Sequence, residues 1–173
     1  AYRFSPQEKI AEPLQPLPEL SRARAAWKSV FPSVPLAGIQ MTSCNAAAWN
    51  VADAWLSVLA AQPILWQDFH VLDDLVCALD GLNTLGLENT VQVFTGRALR
   101  LLECVLTDQH AADAALEWQF IENRPALRLV VRHILDLRDA GEEATALPWM
   151  ERMVNQLNPH DNHGLRDMLM LHY

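Results

Sequence analysis

Apolar residues recur along this chain at intervals of three and four positions, the spacing that places them on one face of an α-helix. Residues 43–61 illustrate the pattern with a shared stripe formed by Ala48, Ala52, Trp55 and Leu59. Alternating runs bounded by hairpin turns, which would indicate strands, are scarce in the sequence. The pattern therefore predicts an all-α fold of seven to nine helices, whose short connections favour antiparallel neighbours.

Proline, glycine and capping residues divide this pattern into successive helices. After a first helix from Pro18 to about Phe31, the predicted helices form pairs: 43–61 with 63–82, 87–106 with 110–122, and 125–140 with 142–158. A last helix is expected to begin after Asp161, which caps it. The pairs recur at about 40 residues, as in helical repeat arrays, although a closed irregular bundle would give the same spacing.

The first part of the chain is rich in proline, with Pro6, Pro13, Pro16 and Pro18. We expect residues 1–20 to form an N-terminal arm, with a short helix starting at Ser5 and an extended stretch lying over the body. Residues 21–173 are expected to form a single all-helical domain. Because the sequence starts without Met and stops inside an apolar helical pattern, we expect it to be a fragment of a longer protein.

Charge and cysteine content narrow the classes of partner and compartment. Lys and Arg number 13 against 21 Asp and Glu, and this net charge of -8 disfavours nucleic-acid binding. No apolar run reaches the roughly 18 residues of a membrane span, and no signal-peptide pattern is present. The three cysteines have no CxxC spacing, which favours reduced thiols. We therefore expect a cytoplasmic protein, with a secreted effector lacking a classical signal peptide as the alternative.

One block near the C-terminus combines a helix stop with a helix start: Leu157, Asn158, Pro159, Asp161, Asn162, Gly164 and Arg166. Asn158-Pro159 ends one helix, and Asp161 caps the next. Gly164 would let that helix approach its neighbour closely, and Arg166 can reach back towards carbonyls. Segment 124–167 consists of two predicted helices followed by this block, which reads Leu-Asn-Pro-x-Asp-Asn-x-Gly-x-Arg. The segment resembles the helix pairs of bacterial tetratricopeptide-like repeat proteins.

The resemblance implies a right-handed array of helix hairpins over residues 124–173 and a scaffold that binds other proteins. The function expected from it is a non-catalytic interaction module that binds a peptide or helix of a partner protein. Tryptophan and arginine are enriched at binding hot spots. The candidate contacts are therefore Trp118, Arg128, Arg132, Trp149 and Arg152. An acidic rim would favour basic partners.

Two clusters of metal-ligand residue types provide an alternative hypothesis. His70, Asp73, Asp74 and Cys77 share one face of a predicted helix. A second cluster comprises His160 and His163 beside Asp161. The competing interpretations are a solvated helix face for the first cluster and turn residues facing water for the second.

The sequence contains no recognisable catalytic motif and no glycine-rich phosphate loop, so no cofactor is expected. A metal-dependent enzyme using either histidine cluster stays open, as does an accessory or regulatory domain of a larger enzyme. Self-association is also open, because the last helix carries apolar Leu165, Met168, Leu169 and Leu171 where an array normally ends in a polar cap.

Overall fold

The computed structural model describes residues 2–3, 13–32, 46–80, 88–108 and 114–173. These ranges contain seven α-helices: α1 (Pro18–Val30), α2 (Ala52–Ala61), α3 (Phe69–Asp80), α4 (Glu88–Asp108), α5 (Arg124–Asp139), α6 (Glu143–Arg152) and α7 (Leu165–Met170). Turns of 3₁₀-helix precede α2 and α3 at Ala46–Val51 and Pro63–Gln67, and a π-helical turn, Met153–Leu157, continues α6. The predicted all-α fold of seven to nine helices is confirmed.

Helix α5 lies at the centre of the molecule, against α3, α4 and α6. It begins with Pro125 in its first turn, where the missing N–H costs nothing. Its apolar side chains are Leu127, Leu129, Val131 and Ile134, and all four are fully buried. Because these positions lie around much of the helix circumference, α5 needs neighbours on several sides.

The link between α5 and α6 is a tight turn at Gly141, as the sequence predicts. Gly141 has φ +76°, a left-handed conformation that glycine adopts without a Cβ penalty. Its N–H donates to the carbonyl of Arg138 at 2.9 Å, and the N–H of Glu142 donates to the carbonyl of Leu137 at 2.8 Å. These two bonds are a Schellman cap, which satisfies the last carbonyls of α5 and turns the chain back as a helix hairpin.

The turn before α7 also follows the sequence prediction, with one correction. The carboxylate of Asp161 accepts from the N–H groups of Leu165 at 2.8 Å and Arg166 at 2.9 Å, and so caps the helix. The Arg166 guanidinium donates to the carbonyl of Pro159 at 2.8 Å. The expected reason for Gly164 is wrong, because a Cβ there would meet nothing within 4 Å. Its φ of +72° is what requires glycine.

The predicted helix over 110–122 is wrong for the part of it that the structure describes. Residues 114–117 are irregular and turns follow up to Asn123, while 109–113 lie outside the described residues. The N–H of Leu116 donates to the carbonyl of Leu157 at 2.7 Å. The backbone here therefore pairs with the end of the α6 segment, which replaces the hydrogen bonds that a helix would have made.

The predicted helix over 63–82 is divided at Asp68. This residue is extended, with φ -108° and ψ 118°, between the 3₁₀ turn and α3. Its carboxylate accepts from the N–H of His70 at 2.8 Å, the geometry of an N-cap. Asp68 therefore starts a new helix inside a stretch whose apolar spacing alone predicts one continuous helix.

The N-terminal segment lies against this helical body. Tyr2–Arg3 (β1) pairs in antiparallel fashion with Gln15–Pro16 (β2), with Tyr2 opposite Pro16. Leu14 is fully buried in the main core. The helix expected to start at Ser5 lies outside the described residues.

Candidate functional site

The polar face of α3 is an internal interface. Asp73 accepts from Arg128 Nε of α5 at 3.0 and 3.2 Å, and Asp74 Oδ2 accepts from Trp27 Nε1 of α1 at 2.7 Å. His70 and Cys77 are half-buried beside them. A solvated face is therefore a wrong interpretation, because α1 and α5 cover both sides of α3 and use its carboxylates to join the three helices.

The environment of this face keeps its thiol and imidazole neutral. Burial raises the pKa of the Cys77 thiol to about 12, helped by the negative charge of Asp73. Burial also lowers the pKa of His70 to about 3, and the positive charges of Arg24 and Lys28 lower it further. A reactive thiolate beside an imidazolium requires the opposite shifts, so this pair is not arranged for nucleophilic chemistry at neutral pH.

Asp74 provides a pH-dependent contribution to stability. Burial raises its pKa to about 7; its hydrogen bond from Trp27 opposes the shift, and the nearby charge of Asp73 adds to it. The folded protein thus holds a proton that the unfolded chain releases near pH 4. The stabilisation that this retained proton supplies is complete below about pH 4, the pKa of the unfolded chain. It is lost as the pH rises to about 7, the pKa in the folded protein.

Replacing Asp74 with asparagine is expected to remove the loss of stability between about pH 4 and 7, because an amide oxygen still accepts from Trp27 and carries no charge. Since one pKa unit corresponds to about 1.4 kcal/mol, the gain above pH 7 is at most about 4 kcal/mol. Urea unfolding of both chains should show equal stability near pH 4 and a growing advantage for the variant up to about pH 7. A constant difference between the two chains across this range would contradict the assignment.

The second histidine cluster is divided between surface and interior. His160 is exposed in the turn after α6. His163 packs edge-on against Trp118 at 4.6 Å between ring centroids, and its Nδ1 lies 3.3 Å from Asn158 Nδ2. Burial lowers the pKa of His163 to about 4. Within the part of the chain that the structure describes, no three His, Cys, Asp or Glu side chains are grouped to hold a metal ion.

The arginines expected to contact a partner are engaged inside the protein. Arg128 forms its ion pair with Asp73, and Arg132 pairs with Asp80 at 2.6 Å and with Asp136 at 2.7 Å. Both arginines thereby join α5 to α3. Their guanidinium groups are not presented on an open surface, and their part in the fold is to compensate buried carboxylates.

The other three expected contacts lie elsewhere and are also packed. Arg152 pairs with Glu103 of α4 and lies over the Trp149 ring, 5.5 Å from its centroid. Trp118 lies in the turns before α5, and the Arg124 guanidinium lies over its ring, 5.1 Å from the centroid. All three side chains are half-buried in contacts within the chain.

An open groove lies between the end of α5, helix α6 and helix α7. Its volume is about 260 Å³. It is lined by Arg138, Glu143, Leu147, Met150, Met168, Leu171 and His172. Three consecutive helices thus bring apolar side chains and the charged or polar groups of Arg138, Glu143 and His172 together at one open groove.

The surroundings of the groove are apolar on one side and acidic on the other. Met170, Leu171 and Tyr173 are 71%, 86% and 82% exposed, unusually high values for side chains of this size. In the hairpin turn 138–143, three acidic residues accompany a single arginine. We refer to the seven lining residues as the C-terminal groove.

Part of this groove is indicated by the apolar pattern of the chain. Met168 and Leu171 belong to the apolar positions of the last helix that lack a cover in the sequence pattern. Leu147 and Met150 lie at the apolar spacing of the predicted helix 142–158, which indicates a core face and not a groove. Their convergence with α7 depends on the turn at 158–164, whose geometry sequence spacing does not specify.

No protein-family model, no curated protein and no solved structure matches this chain. The tetratricopeptide-like relationship therefore stays a prediction. None of the helices in the described ranges is both long and apolar enough to cross a membrane.

Proposed function

We propose that this chain is a non-catalytic protein-interaction module that binds an amphipathic helix of a partner protein in the C-terminal groove. The observation that carries the proposal is the open groove in which half-buried Leu147 and Met168 lie beside exposed Leu171. Large apolar side chains left exposed beside a groove, here Met170, Leu171 and Tyr173, are characteristic of interaction sites. The resemblance to repeat-type helix hairpins supports the same class of function.

The lining of the groove indicates the chemistry of the partner. Methionine side chains are flexible and polarisable, so Met150 and Met168 can adapt to the apolar side chains of an inserted helix. Such a helix presents its anchors at spacings of three and four residues. The acidic residues of turn 138–143 favour a helix whose polar face is basic.

The test is binding of a synthetic helical peptide of about 18 residues, long enough to form helix in water, with leucine on one face and lysine on the other. Fluorescence anisotropy of the labelled peptide gives the dissociation constant. Met168→Glu places a carboxylate on the groove floor and is expected to weaken binding at least about tenfold, or about 1.4 kcal/mol.

Val93→Glu is the matched control, because Val93 is 62% exposed on α4 and does not line the groove. Both variants add the same negative charge, so general attraction of a basic peptide rises equally in both. Only the groove variant should lose affinity. Equal affinities for the two variants, both with native circular dichroism, would refute the proposed binding site.

We also propose a cytoplasmic location. Cys77 and Cys104, the two cysteines within the described ranges, are free thiols. Free thiols are typical of proteins from reducing compartments. Fractionation of the source cells with an antibody to this chain would test the location.

A further inference from the structure

The phenol of Tyr2 is bound in a buried polar pocket. Its oxygen accepts from Arg24 Nη2 at 2.7 Å and from the N–H of Phe69 at 2.9 Å, and its hydroxyl donates to Asp68 Oδ1 at 3.1 Å. A phenol has one donor and two acceptor positions, and all three are used here. The pocket is therefore specific for a hydroxylated aromatic ring.

A second anchor lies at Leu14. Its side chain is fully buried, and its backbone N–H donates to Asn123 Oδ1 at 2.8 Å. Asn123 is itself fully buried, and its Nδ2 donates to the carbonyl of Glu117 at 3.3 Å. A pocket for a side chain together with a hydrogen bond to the backbone is how proteins bind extended peptides.

The first anchor, Tyr2, lies on β1, and the second, Leu14, directly precedes β2. Tyr2 is opposite Pro16, and Arg3 is opposite Gln15. The surface formed by Arg24, Asp68, the Phe69 N–H and Asn123, here called the arm seat, thus binds a tyrosine on one strand and a leucine next to the strand paired with it. The arm of this chain carries both groups in the required register.

A single residue connects this bound arm to α1. Leu17 lies between Pro16 and Pro18, is extended at φ -63° and ψ 156°, and is 38% exposed. The following proline disfavours helical conformation at Leu17, which keeps it extended. Rotation at this position redirects the arm and breaks the 3.5 Å hydrogen bond from Ser21 Oγ to the carbonyl of Pro16.

We propose that the arm seat also accepts the arm of a second copy of this chain, so that two chains exchange arms and form a dimer. Each seat would then be completed by the partner's tyrosine and leucine through the contacts seen within one chain. Exchange of identical elements needs no new contact chemistry. The chain's own arm competes with the arm of the second copy at an effective concentration of the order of millimolar. The unaltered chain therefore exchanges arms only at very high protein concentration or when its own arm is weakened.

The first experiment uses a fluorescent peptide of residues 1–20 and the full chain carrying Tyr2→Phe and Leu14→Ala. This chain has an intact seat and a weakened arm, so it is expected to bind the peptide at least about tenfold more tightly than the unaltered chain does. A peptide carrying the same two substitutions is the control and should not bind. If the double variant loses its helical circular dichroism, the single Tyr2→Phe chain replaces it.

The second experiment mixes the arm-weakened chain with an Asn123→Ala chain, whose seat is damaged and whose arm is intact. Light scattering after size exclusion at about 0.1 mM should show a dimer in the mixture and monomers in each chain alone. Adding Leu171→Ser to both chains tests association through the C-terminal helix and should leave the dimer unchanged. A folded arm-weakened chain that binds neither the peptide nor the second chain would overturn the proposal.

Discussion

Replacing Asp68 with alanine is expected to lower the free energy of unfolding by about 3 to 5 kcal/mol. The Asp68 carboxylate is fully buried and pairs with Arg24 Nε at 2.6 Å, so its removal leaves a guanidinium in the interior without its counter-charge. The carboxylate also accepts from the Tyr2 phenol and caps α3 at His70, and loss of the cap alone costs about 1 kcal/mol.

Urea unfolding followed by circular dichroism would measure this change. Asp53→Ala is the control, because Asp53 is exposed in the first turn of α2, and surface replacements of this kind change stability by about 0.5 kcal/mol or less. If the two alanine variants were equally stable, Asp68 would not hold the arm, α1 and α3 together as the structure indicates.

Replacing Arg128 with alanine is expected to lower the free energy of unfolding by about 3 to 5 kcal/mol as well. Asp73, its partner, is 8% exposed, and without Arg128 its charge would be left in the interior between α3 and α5. Burial already raises the pKa of Asp73, and the Arg128 charge opposes that rise. Removing the arginine therefore makes the carboxylate more costly to ionise.

Arg152→Ala is the matched arginine control, since its partner Glu103 has a side chain that is 41% exposed. Ion pairs open to water contribute about 1 kcal/mol or less, so the control should be much less destabilised. Thermal or urea unfolding of the two variants decides between two roles for Arg128. A small stability loss in Arg128→Ala, together with loss of peptide binding, would restore Arg128 as a partner contact.

The helix ends could be predicted from the sequence where local chemistry determines them. Gly141 ends α5 through its left-handed backbone, and Asp161 caps α7 through its own carboxylate. The apolar spacing between successive proline and glycine residues also predicts the helices α1, α4, α5 and α6. These features depend on interactions between neighbours in the chain, which sequence spacing describes.

The features that the sequence did not predict depend on partners distant in the chain. Ala114, Ala115 and Leu116 are apolar residues that suit a helix, but the N–H of Leu116 donates to the carbonyl of Leu157 instead. Asp73 and Asp74 were placed on a solvated face because nothing in the sequence indicates that Arg128 and Trp27 lie against them. Carboxylates of this kind reveal their role only when the tertiary neighbours are known.

The interaction function stays a prediction, and the structure places the residues suggested for it in contacts within the chain. The sequence predicted an interaction module and noted the uncovered apolar residues Met168 and Leu171 near the chain end. It assigned the contacts to Arg128 and Arg132, which pair with α3. Side-chain type suggested these arginines as hot spots, whereas their buried acidic partners determine what they do.

The most direct test of the proposed helix-binding groove is methyl NMR of the chain labelled at its methionine methyl groups. Met150 and Met168 line the groove, and Met153 is fully buried and does not line it, so one spectrum contains both the probes and an internal control. Titration with the basic amphipathic peptide is predicted to shift the Met150 and Met168 signals and to leave Met153 in place. Unchanged signals, or equal shifts of all three, would contradict the account.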